Sequence, residues 1–176
     1  MNAQELTKAD AIISDCGSYR YWLERQCEGE GATAIVMVNP STADATQDDA
    51  TIRKLRGFGD RNRWGRIIIG NLFAYRATDV RELGGQANPI GPDNDYWLGR
   101  MAGVADRVIF AWGPVTKQPR QYRGWRWGKV AGIFNGLDSF SIGAPAQCGH
   151  PRHPLMLAYA EPIQPWSKDT GGSDNG

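Results

Sequence analysis

The chain has no excess of charge of either sign: 20 Lys and Arg stand against 19 Asp and Glu in 176 residues. A near-neutral balance supplies no global field to draw in nucleic acid or an anionic membrane, so any basic footprint has to be local. Cysteine is scarce, with only Cys16, Cys27 and Cys148. Their odd count and the lack of a Cys-x-x-Cys pair exclude a disulfide framework and a zinc knuckle, and fit reduced thiols. Histidine is scarcer still, with His150 and His153 alone. No apolar run approaches the roughly 20 residues a membrane span needs. Residues 1–10 carry charges and no apolar signal region. There is no Gly-rich phosphate loop and no internal repeat. These absences lead us to expect a cytoplasmic protein with no membrane partner, no cofactor and no metal, of unknown oligomeric state.

The length suits one α/β domain over residues 1–166, followed by a tail over 167–176 that holds no apolar residue and is expected to be disordered. Residues 19–23 and 33–38 have strand patterns and are expected to pair across the charged turn Glu28-Gly29-Glu30-Gly31. The run Ala34-Ile35-Val36-Met37-Val38 is apolar throughout, as a central strand covered on both faces should be. Thr51, Ile52, Leu55 and Phe58 then recur at helical spacing over residues 48–59, with Asp48 and Asp49 suited to its N-terminus. A second strand over 66–69 runs into Gly70-Asn71-Leu72-Phe73. A helix over 93–105 and a third strand over 108–112, closed by Gly113-Pro114, come next. A helix over 121–135 with Trp127, Val130, Ala131 and Phe134 as its stripe precedes a last strand over 139–143. Strands alternating with helices predict a three-layer α/β/α sandwich with a largely parallel sheet. Ligands of such folds bind at the carboxyl ends of the strands.

The polar residues with chemical potential fall at those ends: Asn39-Pro40-Ser41, Asn71 with Phe73 and Arg76, Trp112, and His150-Pro151-Arg152-His153-Pro154. Asn-Pro and His-Pro also make turns, and polar residues at strand ends also cap loops. Asp44, Asp48 and Asp49 offer oxygen ligands for a divalent cation or, as the commoner use, helix capping.

The stretch from Arg20-Tyr21-Trp22 through Val38-Asn39-Pro40-Ser41-Thr42-Ala43-Asp44 and Asp48-Asp49-Ala50-Thr51 to Gly149-His150-Pro151-Arg152-His153-Pro154-Leu155 resembles the bacterial and phage family called domain of unknown function 1643. The strand ends also resemble, in the same order, those of the uracil-DNA glycosylase superfamily: Met37-Val38-Asn39-Pro40-Ser41, Ile67-Ile68-Ile69-Gly70-Asn71, Phe110-Ala111-Trp112-Gly113, and the His-Pro loop with one residue more. The resemblance implies a glycosylase-like fold and a hydrolase that cleaves an N-glycosidic bond in DNA or in a nucleotide. In that reading Asn39 positions the attacking water and Asn71 reads the base edge. One of His150 or His153 donates to the departing base. Pro40, Ser41, Phe73, Arg76, Trp112 and Arg152 complete a substrate-binding set. The alternative is a non-catalytic protein that sequesters a nucleotide or nucleic acid on the same fold.

Arg120-Gln121-Tyr122-Arg123-Gly124-Trp125-Arg126-Trp127-Gly128-Lys129 interleaves cations with aromatics, a composition that stacks bases and touches phosphates. Arg123, Trp125 and Arg126 are its expected nucleic-acid contacts, against the alternative of an amphipathic helix with snorkelling arginines.

Overall fold

The structure is a computed structural model and describes residues 11–167. The chain forms strands β1 (Ala11–Ile13), β2 (Arg20–Gln26) and β3 (Glu30–Met37), helix α1 (Ala50–Arg61) and strand β4 (Trp64–Asn71). Helix α2 (Asn94–Ala102), strand β5 (Arg107–Phe110), helix α3 (Arg126–Ile133) and strands β6 (Asp138–Ile142) and β7 (Ile163–Pro165) follow. The strands join in one sheet, in the order β1-β2-β4-β3-β5-β6-β7.

Its middle is parallel, with β3 paired to β4 and β5, and β5 to β6. Outside that core the pairings β1 with β2, β2 with β4 and β6 with β7 are antiparallel. The sheet is therefore mixed, which corrects the expectation of a largely parallel one. Parallel neighbours need a long crossover, usually a helix, and only the middle of the chain supplies helices between strands. The three-residue strands β1 and β7 carry too little pattern to be foreseen.

A second correction concerns β2 and β3, which do not pair because β4 lies between them. Their connection bonds to the start of β4 instead: the Cys27 amide donates to Gly65 O at 2.8 Å and the Gly29 amide to Trp64 O at 2.9 Å. A Cβ on Gly29 would sit 1.8 Å from the Arg63 carbonyl oxygen, so only glycine fits this crossing. Insertion covers both edges of the isoleucine-rich β4, which a hairpin of β2 on β3 would have left open. The helix expected over 121–135 is shorter as well. A 3-10 turn at Arg120–Tyr122 and then Gly124 delay α3 until Arg126.

Period-two alternation divides the core in two. Ala34, Val36, Ile68, Val108 and Phe110 pack with Leu98 and Met101 of α2 and Val130 of α3, whereas Ile35, Met37, Ile67, Ile69 and Ile109 pack with Ile52, Leu55 and Phe58 of α1. Each of these buried side chains larger than alanine contributes about 1.5–3 kcal/mol. Helix α1 starts where Asp49 Oδ1 accepts from the Ile52 amide at 2.9 Å, a cap that contributes about 1 kcal/mol. The remainder of the tail expected from Ser167, and residues 1–10, lie outside the described residues.

Candidate functional site

From β3 the chain crosses to β4 on one side, then returns to β5 on the other. That reversal opens a crevice beyond the carboxyl ends of β3 and β5, the place where open α/β sheets bind ligands. A cavity of about 580 Å³ occupies it, lined by Met37, Val38, Asn39 and Ser41 from the first strand end, Asn71 from the second, and Trp112, Gly113 and Pro114 from the third. His153 and Leu155 close it from the His-Pro loop. Gly113 turns the chain there with a φ of 78°, a left-handed conformation that favours glycine. His153 packs beside this turn, where a Cβ on Gly113 would meet that of His153 at an ordinary contact distance of 3.4 Å, so the conformation rather than space calls for glycine.

The two asparagines are held in opposite ways. Asn39 Nδ2 donates to the carbonyls of Pro40 at 2.9 Å and Ala77 at 2.8 Å, which fixes the amide plane and leaves Oδ1 as its acceptor. Asn71 is 1 % exposed, yet neither Oδ1 nor Nδ2 has a hydrogen-bond partner. Its backbone is clamped. Asn94 Nδ2 donates to Asn71 O at 3.0 Å and to Leu72 O at 3.2 Å, and Arg126 Nε donates to Leu72 O at 2.7 Å. A fixed main chain thus presents an unsatisfied buried amide to the cavity. Leaving such a group unpaired costs about 1–3 kcal/mol.

The histidines separate too. His150 is buried and not among the lining residues; its Nδ1 accepts from Trp112 Nε1 at 3.3 Å, and its ring meets Trp127 edge-on at 4.9 Å. It braces Trp112 from behind. His153 lines the cavity, and its Nδ1 accepts from the Leu155 amide at 3.3 Å. That bond places the proton of the neutral ring on Nε2. Burial pulls the His153 imidazole below its ordinary 6.5, against the opposing pull of Asp49, so the neutral donor form prevails at neutral pH.

Asp49 and Arg20 line the same cavity and were missed as site residues. For Asp49 the sequence offers a cation ligand or a helix cap, not a lining role in this cavity, and the cap bond uses Oδ1 alone. Arg20 opens β2, far from the strand ends in sequence, and although Arg20-Tyr21-Trp22 belongs to the family resemblance nothing there assigns it a place in the site. The antiparallel placement of β2 beside β4 brings it there.

Other expected site residues lie elsewhere. Pro40 is buried, and its carbonyl accepts from the Ala77 amide at 3.0 Å. Phe73 is fully buried against Tyr122, a core residue rather than a stacking surface, which corrects its substrate role. Arg76 Nη1 bonds Gly17 O at 3.2 Å, and Arg152 pairs with Glu161 at 2.9 Å; neither lines the cavity. Arg126 is 0 % exposed and pairs with Asp95 at 2.7 Å, so it makes no surface contact with nucleic acid; this too is a correction. Arg123 donates to Gln118 O at 2.8 Å and Thr116 O at 2.7 Å, while Trp125 is exposed. Asp48 pairs with Arg25 and Arg56 rather than capping α1, and Asp44 Oδ1 accepts from Thr46 and Gln47. Among the described residues no group of three acidic, His or Cys side chains is arranged to hold a metal ion. None of their helices is long and apolar enough to cross a membrane.

A family model described as a protein of unknown function (DUF1643) matches residues 20–155, more than half of the chain and the span that contains every lining residue of the cavity. No curated protein and no solved structure matches.

Proposed function

The chain belongs to the DUF1643 family, and from the cavity inside the matched span we propose that it binds a nucleobase and hydrolyses the N-glycosidic bond that carries it, in DNA or in a nucleotide. The proposal includes a three-layer α/β/α arrangement like that of the uracil-DNA glycosylases. The division of helices supports it, with α1 in one core cluster and α2 and α3 in the other.

The observation that carries the reading is the Asn71 amide, buried in the cavity with both polar atoms unpartnered. A base edge presents a neighbouring donor and acceptor, the complement of a carboxamide, and a wrong edge leaves those atoms unsatisfied. The remaining groups suit the reaction. A water held by Asn39 Oδ1 attacks the anomeric carbon, the carbon–nitrogen bond breaks, and its electron pair leaves with the base. His153 Nε2–H donates to the oxygen of the departing anion. Asp49, which faces the same space, stabilises the cationic sugar and accepts the water's proton, work an amide cannot do at neutral pH. A second reading, sequestration without chemistry, draws on the amide at Asn39 in place of a carboxylate.

The test is incubation with uracil-, hypoxanthine- and modified-base DNA and with free nucleotides, followed by chromatography for released base. Release that Asn39→Ala abolishes while binding survives is the expected result. No release from any of them, with a nucleotide still bound tightly and lost on Asn71→Ala, moves the function to sequestration.

A further inference from the structure

Arg20 is a buried cation that no carboxylate contacts among the described residues. It is 3 % exposed and lines the cavity. Its Nη1 donates to Ala43 O at 2.6 Å, while its Nε is buried with no partner. Among the described residues no carboxylate forms an ion pair with it, whereas Arg126, the other fully enclosed arginine, has Asp95 at 2.7 Å. Burial lowers the Arg20 guanidinium to about 10; Asp49 and Asp44 oppose that pull, Arg76 and Arg25 add to it, and the group remains charged at neutral pH. A buried charge with carboxylates near it but none in contact is costly unless something anionic arrives to meet it.

We infer that Arg20 forms an anion subsite for a phosphate monoester of the ligand, so that the molecule read by Asn71 is a mononucleotide rather than a base or nucleoside. The nucleotide part rests on the nucleobase reading above; the anion subsite does not. A guanidinium fork matches the oxygens of a phosphate geometrically as well as in charge. The cavity's roughly 580 Å³ is in the range of sites for whole small-molecule ligands (~300–1,000 Å³) and leaves room beyond a base. Lys117 adds a second cation to the lining, while Asp79 there is already paired with Arg81. Because Asp49 and Asp79 lie in the same wall, no overall positive field draws the anion in, and Arg20 itself has to hold it.

The experiment uses the full chain and two variants, Arg20→Met and Arg20→Lys. Thermal unfolding is followed with and without inorganic phosphate. Calorimetry compares the 5′-monophosphates of uridine, cytidine, adenosine and guanosine with the matching nucleosides. Millimolar phosphate should raise the melting temperature of the parent and not that of Arg20→Met. At least one monophosphate should bind about tenfold to a hundredfold more tightly than its nucleoside, and Arg20→Met should remove that difference while sparing nucleoside affinity. Without ligand, Arg20→Met should melt no lower than the parent, since it removes an uncompensated charge. A large loss of melting temperature in both variants would make Arg20 a structural tie to Ala43 and overturn the inference. Equal affinity for nucleoside and monophosphate, with no response to phosphate, would overturn it as well. Arg20-dependent binding of an oligodeoxynucleotide as tight as that of the mononucleotide would assign the phosphate to a strand and overturn the monoester. Arg20-dependent phosphate binding with no affinity for any nucleoside or nucleotide would keep the anion subsite and sink the nucleobase reading.

Discussion

Residues 120–129 hold four cations and three aromatics, whereas the strand ends hold a scatter of single polar residues. The dense cluster turns three of its four cations onto the fold itself: Arg123 to two loop carbonyls, Arg126 through Nε to Leu72 O and through Nη1 to an ion pair with Asp95, leaving Nη2 without a partner, and Lys129 to Asp95 at 2.8 Å. Two of the residues around the cavity keep polar atoms uncommitted, Asn71 with both amide atoms and Arg20 with Nε, while Asn39 Nδ2 and His153 Nδ1 are bonded. Composition counts the groups a segment owns. Function depends on which of those groups folding leaves unsatisfied, because a ligand gains most by meeting a donor or acceptor that is already desolvated.

The contrast is broken or upheld first by stability. Arg126→Ala removes one of the two donors on Leu72 O at the end of β4 and leaves Asp95 with Lys129 alone, and should destabilise the protein by about 1.5–3 kcal/mol in urea unfolding. Asn71→Leu, at an equally buried position, should leave stability within about 1 kcal/mol of the parent or raise it, because the lost amide had no partner. Its effect should appear in binding instead, with ligand affinity or base release down on the order of a hundredfold by calorimetry or chromatography. Equal destabilisation by both variants would erase the distinction between the two regions.

The histidines sharpen the same contrast within one loop. His153→Ala should lower turnover about a hundredfold, as loss of one donor to a developing anion does. His150→Phe should act through stability, because His150 accepts from Trp112 and sits behind it. The pH profile checks the assignment. With its pKa held below 6.5 by burial, His153 in the folded state takes up its proton later than in the unfolded chain as pH falls. Its contribution to stability is therefore full above 6.5 and lost on going down through the folded value. Activity should keep its plateau to below pH 6.5. Asp49→Asn should move the acid limb lower still, since Asp49 is the group that pulls this pKa up. The same change should cut turnover about tenfold or more and cost only a few tenths of a kcal/mol in stability, because Asn caps a helix about as well as Asp.

Much of the sheet's centre was legible. The apolar runs of β3, β4 and β5 and the stripe Ile52, Leu55 and Phe58 carry periodicities that burial on two faces imposes. The edges were not, since three-residue strands have no period and the place of β2 is set by pairing with β4, a contact remote in sequence. Asn39, Ser41, Asn71, Trp112 and His153 were legible as residues placed after strands, and they line the cavity. Arg20 and the second oxygen of Asp49 were hidden, because their use depends on what the folded chain leaves unpaired. Arg126 misled for the same reason in reverse, as its sequence neighbours suggest a surface and its actual partners lie in the core.

The smallest expected effect tests the comparison most closely. Arg123 is half-buried and already donates to two carbonyls, while Trp125 is 45 % exposed with its Nε1 bonded to Gln121 O at 3.1 Å. On the argument from uncommitted groups, Arg123→Ala should cost stability modestly, about 1 kcal/mol for the lost hydrogen bonds. Trp125→Ala should stay within about 0.5 kcal/mol, as exposed substitutions do. Neither should alter mononucleotide affinity. The decisive measurement is the salt dependence of binding to a single-stranded oligonucleotide by fluorescence anisotropy. A cation that contacts a phosphate contributes close to one unit of slope in log affinity against log salt, about 0.7 for single strands. Arg123→Ala should leave that slope unchanged. A drop of that size, together with weaker binding on loss of the Trp125 ring, would show that the carbonyl bonds of Arg123 give way to phosphate. The basic segment would then be a nucleic-acid surface despite its internal bonding, and uncommitted polar atoms would no longer suffice to locate function in this fold.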